Sequence, residues 1–284
     1  MHQRAHDGDW LLRVRGLTKI YGEPDAQTLD RTGPAFGTNI CPQTHAIVAL
    51  SNIDFDLYPG EVLGVVGESG SGKSTLVQML YFDQAPTAGH VHFRAIDDGQ
   101  SDVLALSNQR KRHTRNHLLG MVYQNPRDGL NFGFTSGGNI AEKLLMAGTF
   151  NVGRIRERAS ALLRQTEVPV KRMDELPATF SGGMQQRVQI SKAIANNPPL
   201  VFMDEVTSGL DVSVQAKVLD LIRQLQQELG VSMIVVSHDL SVIRMLTDRT
   251  LVLKHGHIVE SGLTDQILQD PQHPYTQLLV SSLL

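Results

Sequence analysis

The run Gly67-Glu68-Ser69-Gly70-Ser71-Gly72-Lys73-Ser74 holds the residues of this sequence whose types and spacing point most directly to chemistry. It fits G-x-x-x-x-G-K-[ST], a loop that wraps the phosphates of a nucleoside triphosphate. The glycines leave backbone N–H groups free to face inward as an anion nest. A helix starting behind them adds partial positive charge. Lys73 would place a point charge by the β- and γ-phosphates, and the Ser74 hydroxyl would ligate Mg²⁺. With the adjoining Thr75, these residues form the candidate nucleotide-binding segment.

Further carboxylates and amides could complete that chemistry. Asp204 and Glu205 end the apolar run Leu200-Val201-Phe202-Met203. Successive strand residues point to opposite sides, so the two acids can divide the work. Asp204 would hold Mg²⁺ through water, and Glu205 would polarise the attacking water. His238 follows a second apolar run, Val235-Val236-Ser237, and at a strand's carboxyl end could hydrogen-bond the γ-phosphate. Gln124, after Met121-Val122-Tyr123, could reach Mg²⁺ or the lytic water as a neutral ligand. Ser181-Gly182-Gly183-Met184-Gln185 opens a helix whose serine cap and glycines would turn N–H groups toward an anion. Two phosphate-binding helix ends but one phosphate-loop lysine imply a head-to-tail pair of chains, each offering its Ser181 end to the other's nucleotide.

The elements that must carry these residues can be read from periodicity. Glu61–Val66 and Thr75–Leu80 supply the strand and helix that the glycine loop needs on its flanks. Leu11–Arg15 alternates as a strand that runs toward Tyr21-Gly22. Ile47–Leu50 and Ile53–Leu57 read as a pair of strand-like runs, and Leu119–Tyr123 as another strand. Residues 139–168 turn helical. Leu200–Met203 and Met233–Val236 are buried-strand runs separated by an amphipathic helix over Val212–Leu229. That alternation predicts an α/β fold with a largely parallel sheet covered by helices. Residues 23–45, rich in Pro, Gly, Thr and Asp, read as a loop insertion or long hairpin with no core of its own.

Composition narrows the function. Hydrophobic residues at 41% and charged residues at 19% describe an ordinary globular chain. A net charge of -3, from 26 Lys+Arg against 29 Asp+Glu, gives no electrostatic case for nucleic acid. The basic run Arg110–Arg115 reads as a solvated face. A single cysteine, Cys41, excludes an intramolecular disulfide and fits a cytoplasmic location. Met1–Asp7 lacks the apolar core of a signal peptide, and no segment approaches a membrane span, so direct membrane insertion is not expected.

Taken in this order and spacing, the phosphate loop, glutamine, Ser-Gly-Gly helix, Asp-Glu pair and histidine resemble the ATP-binding cassette (ABC) family over residues 11–262. The resemblance implies an ABC nucleotide-binding domain: a RecA-like mixed sheet core, an antiparallel β subdomain and an inserted helical subdomain. Its boundaries would be a core of 11–124 and 197–262, helices over 125–196 with the signature motif, and a helical tail over 263–284. The implied cofactors are ATP and Mg²⁺, the implied reaction is ATP hydrolysis, and the implied partner is a second ABC subunit, as a homodimer or a paralogue. By the same resemblance Tyr21 would stack on adenine, or serve as an interface or core aromatic. Ser208-Gly209-Leu210-Asp211 would pass signals between paired sites, with Asp211 near nucleotide. Val206 departs from the family, which usually has proline there; Glu205 should stay usable with a less constrained orientation.

Two branches of the family are similar in detail. Asp270–Leu279 resembles the tail of oligopeptide importer ATPases, although the ending at Leu284 leaves no long cysteine-bearing accessory segment. The chain as a whole is more similar to the ATPase of bacterial phosphonate carbon–phosphorus lyase systems, through Asp128-Gly129-Leu130 and Ser136-Gly137-Gly138-Asn139-Ile140 among other segments. The implied partner is then the lyase core complex. Some relatives place paired cysteines in the 23–45 region; Cys41 with His45 cannot make a four-ligand zinc site, so an unmetallated loop is expected.

Overall fold

The computed structural model describes residues 10–281. Residues 1–9, which carry the expectation about a signal peptide, and Ser282-Leu283-Leu284, which carry the one about the chain's ending, lie outside the described residues. In chain order the elements are β1 (Leu12–Tyr21), β2 (Ile47–Leu57), β3 (Val62–Val66), α1 (Lys73–Leu80), β4 (Ala88–Phe93), α2 (Asn108–His117), β5 (Leu119–Val122), α3 (Pro126–Gly129), α4 (Ser136–Met146) and α5 (Val152–Gln165). They continue with α6 (Gly182–Ala193), β6 (Leu200–Asp204), α7 (Val212–Leu229), β7 (Ser232–Val236), α8 (Leu240–Leu246), β8 (Arg249–Lys254), β9 (His257–Leu263), α9 (Thr264–Gln269) and α10 (Pro274–Ser281). Internal contacts divide the chain into two compact units. One runs through Lys111 and resumes at Val235; the other is Arg112–Ile234.

In the first unit β1 pairs antiparallel with β2 on one side and β4 on the other. Leu17, Leu50, Leu57 and Phe93 are fully buried there. β3 is buried at all five positions, an apolar run suited to a strand covered on both faces, and it pairs parallel with β8. β8 turns back into β9 through His255 (φ 46°) and Gly256 (φ 78°), two left-handed residues of the kind a tight hairpin turn requires. The end of β7 lies beside β3, since Ser237 N–H donates to Val65 O at 3.2 Å.

In the second unit β5 and β6 run parallel, with Leu119 opposite Leu200 and Val122 opposite Met203. Ser232 N–H donates to Pro199 O, which sets β7 beginning at the same level as β6. α5 buries Ile155, Ala159, Leu162 and Leu163, the i, i+4, i+7, i+8 stripe of an amphipathic helix. Asn151 starts it by accepting a hydrogen bond from Arg154 N–H. α7 stops at Gly230 in the left-handed conformation (φ 62°).

Several expectations change in detail. The runs 47–50 and 53–57 are one strand, β2, because left-handed Asn52 (φ 48°) interrupts the register without ending the pairing. β4 and the β8–β9 hairpin were not anticipated; β4 opens on Ala-Gly, which reads as a turn, and its alternating His-Val-His-Phe, with Val91 and Phe93 buried, is short and completed by pairing with β1. The helical stretch 139–168 is two helices, α4 and α5, parted at 147–151. Residues 23–45 are short turns in which Thr28, Thr32 and Cys41 are buried. Cys41 accepts from His45 N–H and donates to Ala46 O along the backbone, so the segment closes on itself. The basic run Arg110–Arg115 lies on α2, where Thr114 is the buried residue. Among the described residues no group of three or more His, Cys, Asp or Glu is placed to hold a metal ion, and no helix is long and apolar enough to cross a membrane.

Candidate functional site

The phosphate loop belongs to the first unit, between β3 and α1. Gly72 caps α1 with φ 105°, and a Cβ there would stand 2.2 Å from Ala49 O, so no other residue fits. Lys73 is 4% exposed, and its Nζ donates to Gly67 O at 2.7 Å and Glu68 O at 2.8 Å. The ammonium is thereby held over the loop's own backbone. Ser71 Oγ is buried without a hydrogen-bond partner, a polar atom that an anion in the loop would satisfy. Ser69 and Gly70 are exposed, while Ser74 and Thr75, in the first turn of α1, are half-buried. A nest of this chemistry fits the triphosphate that the motif implies.

Two contacts from distant sequence brace the loop. Gly256 N–H, at the β8–β9 turn, donates to Ser71 O at 3.1 Å. Glu68 N–H donates to the Tyr275 hydroxyl of α10 at 3.0 Å. Tyr275 is buried, which raises its phenol pKa, and Lys254 Nζ lies 4.5 Å from its ring centroid. Tyr275 stood in the tail that resembles peptide importers, but nothing local in the sequence ties it or Gly256 to the loop.

His238 and Tyr21 are in the same unit. His238 is exposed, directly after β7, where Ser237 pairs with Val65 one residue before β3 ends. Asp239 fixes the next step by accepting from Ser241 N–H at 2.8 Å. Tyr21 ends β1, 37% exposed, with Lys19 Nζ 4.9 Å from its ring centroid and its hydroxyl donating to Gln84 Oε1.

The carboxylates belong to the second unit. Asp204, 5% exposed, is the last residue of β6. Glu205 follows in the left-handed region (φ 45°), uncommon for a residue with a side chain and in need of support. A turn in which Ser208 N–H donates to Glu205 O supplies part of it. Gln124 supplies more: its Nε2 donates to Glu205 Oε2 at 2.9 Å and to Ser208 Oγ at 3.4 Å. Val206, where the family usually has proline, is buried, and the Glu205 carboxylate beside it is hydrogen-bonded.

Ser181 occupies the N-cap position of α6, but its hydroxyl makes no capping bond and is exposed, so the serine cap is positional only. Gly182 is exposed. Gly183 packs so tightly on Val214 that a Cβ would lie 2.4 Å from Cγ1. Gln185, expected at nucleotide, donates its Nε2 hydrogens to Pro177 O at 3.0 Å and Phe180 O at 3.1 Å, holding the loop before α6. Asp211 is the exposed N-cap residue of α7 and likewise makes no side-chain capping bond. Sequence reasoning missed Gln189, which joins the backbone beside Gln124; a polar residue on the buried face of a helix was the available signal.

Residues 50–208, over half of the chain, match the family described as ABC transporter. The chain belongs to the ABC family. It is 51% identical over 234 residues to "Putative phosphonates utilization ATP-binding protein PhnK" of Escherichia coli K12, covering 82% of this chain and 91% of that protein. It is 39% identical over 236 residues to the dipeptide transport ATP-binding protein DppF of the same organism, covering 83% and 69%. Among solved structures, the dimeric post-hydrolysis state of the cassette MJ0796 bound to ADP and Pi superposes with a TM-score of 0.74 at 28% identity, over 89% of this chain and 98% of that one. This ABC chain is thus an ATP-binding, ATP-hydrolysing cassette of mixed α/β fold with an antiparallel sheet and helical segments, as its sequence led us to expect.

Proposed function

We propose that this ABC ATPase serves phosphonate catabolism, dimerising on ATP and driving conformational change in a carbon–phosphorus lyase complex. The observation that carries this reading is the 51% identity to PhnK across 91% of that protein, against 39% across 69% of DppF. Carbon–phosphorus cleavage would fall to partner subunits, because one cysteine cannot hold an iron–sulfur centre. The second subunit would be another copy or a paralogue, its Ser181 helix end facing the nucleotide of its neighbour; the dimeric structure of the MJ0796 cassette supports the pairing. The site would lie in the cytoplasm.

In this reading Gly67–Thr75 cradle the triphosphate and Tyr21 stacks on adenine. Ser74 and Asp204, with Gln124 as a further ligand, would hold Mg²⁺, which would neutralise phosphate charge when bound. Glu205 would take a proton from the attacking water and His238 would hydrogen-bond the γ-phosphate. Ser181–Gly183 and Asp211 would act across the dimer. Gln185, committed to Pro177 and Phe180, would shape the loop before α6. The subdomain limits 11–124, 125–196, 197–262 and 263–284 belong to the same proposal.

A peptide-importer ATPase is the second reading, favoured by the DppF match and the tail Asp270–Leu279. Affinity purification from phosphate-starved cells growing on a phosphonate separates the two. A soluble lyase core among the bound chains is the expected result; recovery with a membrane permease alone would overturn it.

A further inference from the structure

The buried face of α6 carries Gln189, 1% exposed, in a position where helices of this kind bury apolar side chains. Its amide meets the backbone of Tyr123 twice. Oε1 accepts from Tyr123 N–H at 2.7 Å, and Nε2 donates to Tyr123 O at 3.0 Å. The side chain thus continues the pairing of β5 one residue past its end, in the manner of another strand. Gln186 Nε2 reaches the same carbonyl at 3.4 Å, and its Oε1 accepts from Gln189 at 3.2 Å.

One helical turn further on, Lys192 Nζ donates to Gly129 O at 2.9 Å and pairs with Glu142 at 2.7 Å. Two α6 side chains therefore grip the segment 123–129 at both of its ends. Between those grips stands Gln124, the residue that bonds Glu205. Gly129 makes room for the arrangement: a Cβ there would come within 2.0 Å of Gln189 Oε1 and 2.6 Å of Cδ. Glycine at 129 and glutamine at 189 are a matched pair.

We propose that Gln189 is a positioning residue for ATP hydrolysis. It ties the Gln124 segment to the helix that begins at Ser181 and so sets Gln124 against Glu205. The role rests on the ATPase reading of the chain. Removing the amide should loosen the backbone at Tyr123 and let Gln124 wander, slowing the chemical step while leaving the phosphate loop, in the other unit, as it was.

The test uses the full chain with Gln189→Ala, Gly129→Ala and the double variant, each checked by thermal melting. In Gln189→Ala, hydrogen exchange at the Tyr123 amide should accelerate by about 10-fold, the order expected on losing neutral hydrogen bonds, and kcat should fall similarly. KM for ATP should stay within about twofold, a split that general destabilisation would not produce. Gly129→Ala should behave alike, since its methyl group would expel the amide. The double variant should be no worse than either single change. Unchanged Tyr123 exchange and kcat in Gln189→Ala, or losses that multiply in the double variant, would overturn the proposal. Should Gln189→Ala not fold, Gln189→Asn, one methylene shorter, serves with the same expectations. A wild-type chain without ATP turnover would instead refute the ATPase reading, and the exchange measurement would still decide the grip on Tyr123.

Discussion

Within the phosphate loop, Lys73 reaches Gly67 O and Glu68 O across six and five residues of chain. In the other unit, Gln124 meets Glu205 across 81 residues and Gln189 meets Tyr123 across 66. The first region is shaped by backbone conformation that glycine alone permits; the second by side-chain amides from separate elements. The contrast teaches where each is vulnerable. A loop built mainly from local conformation leans first on its flanking strand and helix, with Gly256 and Tyr275 as outside braces. A cluster assembled over long separations depends on every element that carries one of its members.

Four substitutions would sharpen or break that comparison. Glu205→Gln should have the largest effect, lowering turnover by about 10²–10⁴ while ATP binding persists, because it removes a base and leaves the loop untouched. Single-turnover assays with bound-nucleotide measurements check this; unchanged turnover would remove Glu205 from the chemistry. Lys73→Ala should do the reverse, weakening ATP binding by about 10²-fold through loss of a charge-assisted contact, as read by calorimetry. If the two variants failed in the same way, the proposed division of labour would not hold.

Lys143 probes how the second unit handles buried polar groups. It is 7% exposed, its Nζ donates to Arg115 O at 2.6 Å and Leu119 O at 3.0 Å, and burial above all lowers its pKa to about 8. Below that pH the folded protein bears a buried charge at a cost. Between about 8 and the ordinary 10.5 the folded state sheds a proton that the unfolded chain keeps, so this group's contribution to stability grows with pH. Against Lys143→Met, the wild type should gain about 1.4 kcal/mol per pH unit across that window in urea melts. A pH-independent difference would contradict the depressed pKa.

Tyr275→Phe should have the smallest effect. It takes one neutral hydrogen bond from Glu68 N–H, so ATP affinity should weaken by about threefold, with kcat nearly unchanged. A much larger loss would mean that the loop depends on α10 as heavily as Gln124 depends on α6, and the contrast between the regions would shrink.

The fold class, the long helix over Val212–Leu229, the strands around the loop and the order of site residues were legible in the chain, because each rests on local pattern: apolar runs, helical spacing, glycines followed by lysine and serine. β4 was missed although His90-Val91-His92-Phe93 alternates, because Ala88-Gly89 before it reads as a turn. Asn52 hid the continuity of β2 by looking like a turn. That Gln185 also holds the Pro177 and Phe180 carbonyls could not be read from the chain, since both bonds depend on how the loop before α6 folds.

What the amino-acid order determined alone was the glycine loop and its lysine, for glycine is free to take φ 105° at position 72 and Lys73 brings its own charge. What the folded chain decided was which distant groups meet: Tyr275 on the loop, Gln124 on Glu205, Gln189 on Tyr123. A glycine and a lysine carry their conformational freedom and charge wherever they stand, whereas a side chain meets a partner from a remote segment only after packing has brought the two to hydrogen-bonding distance.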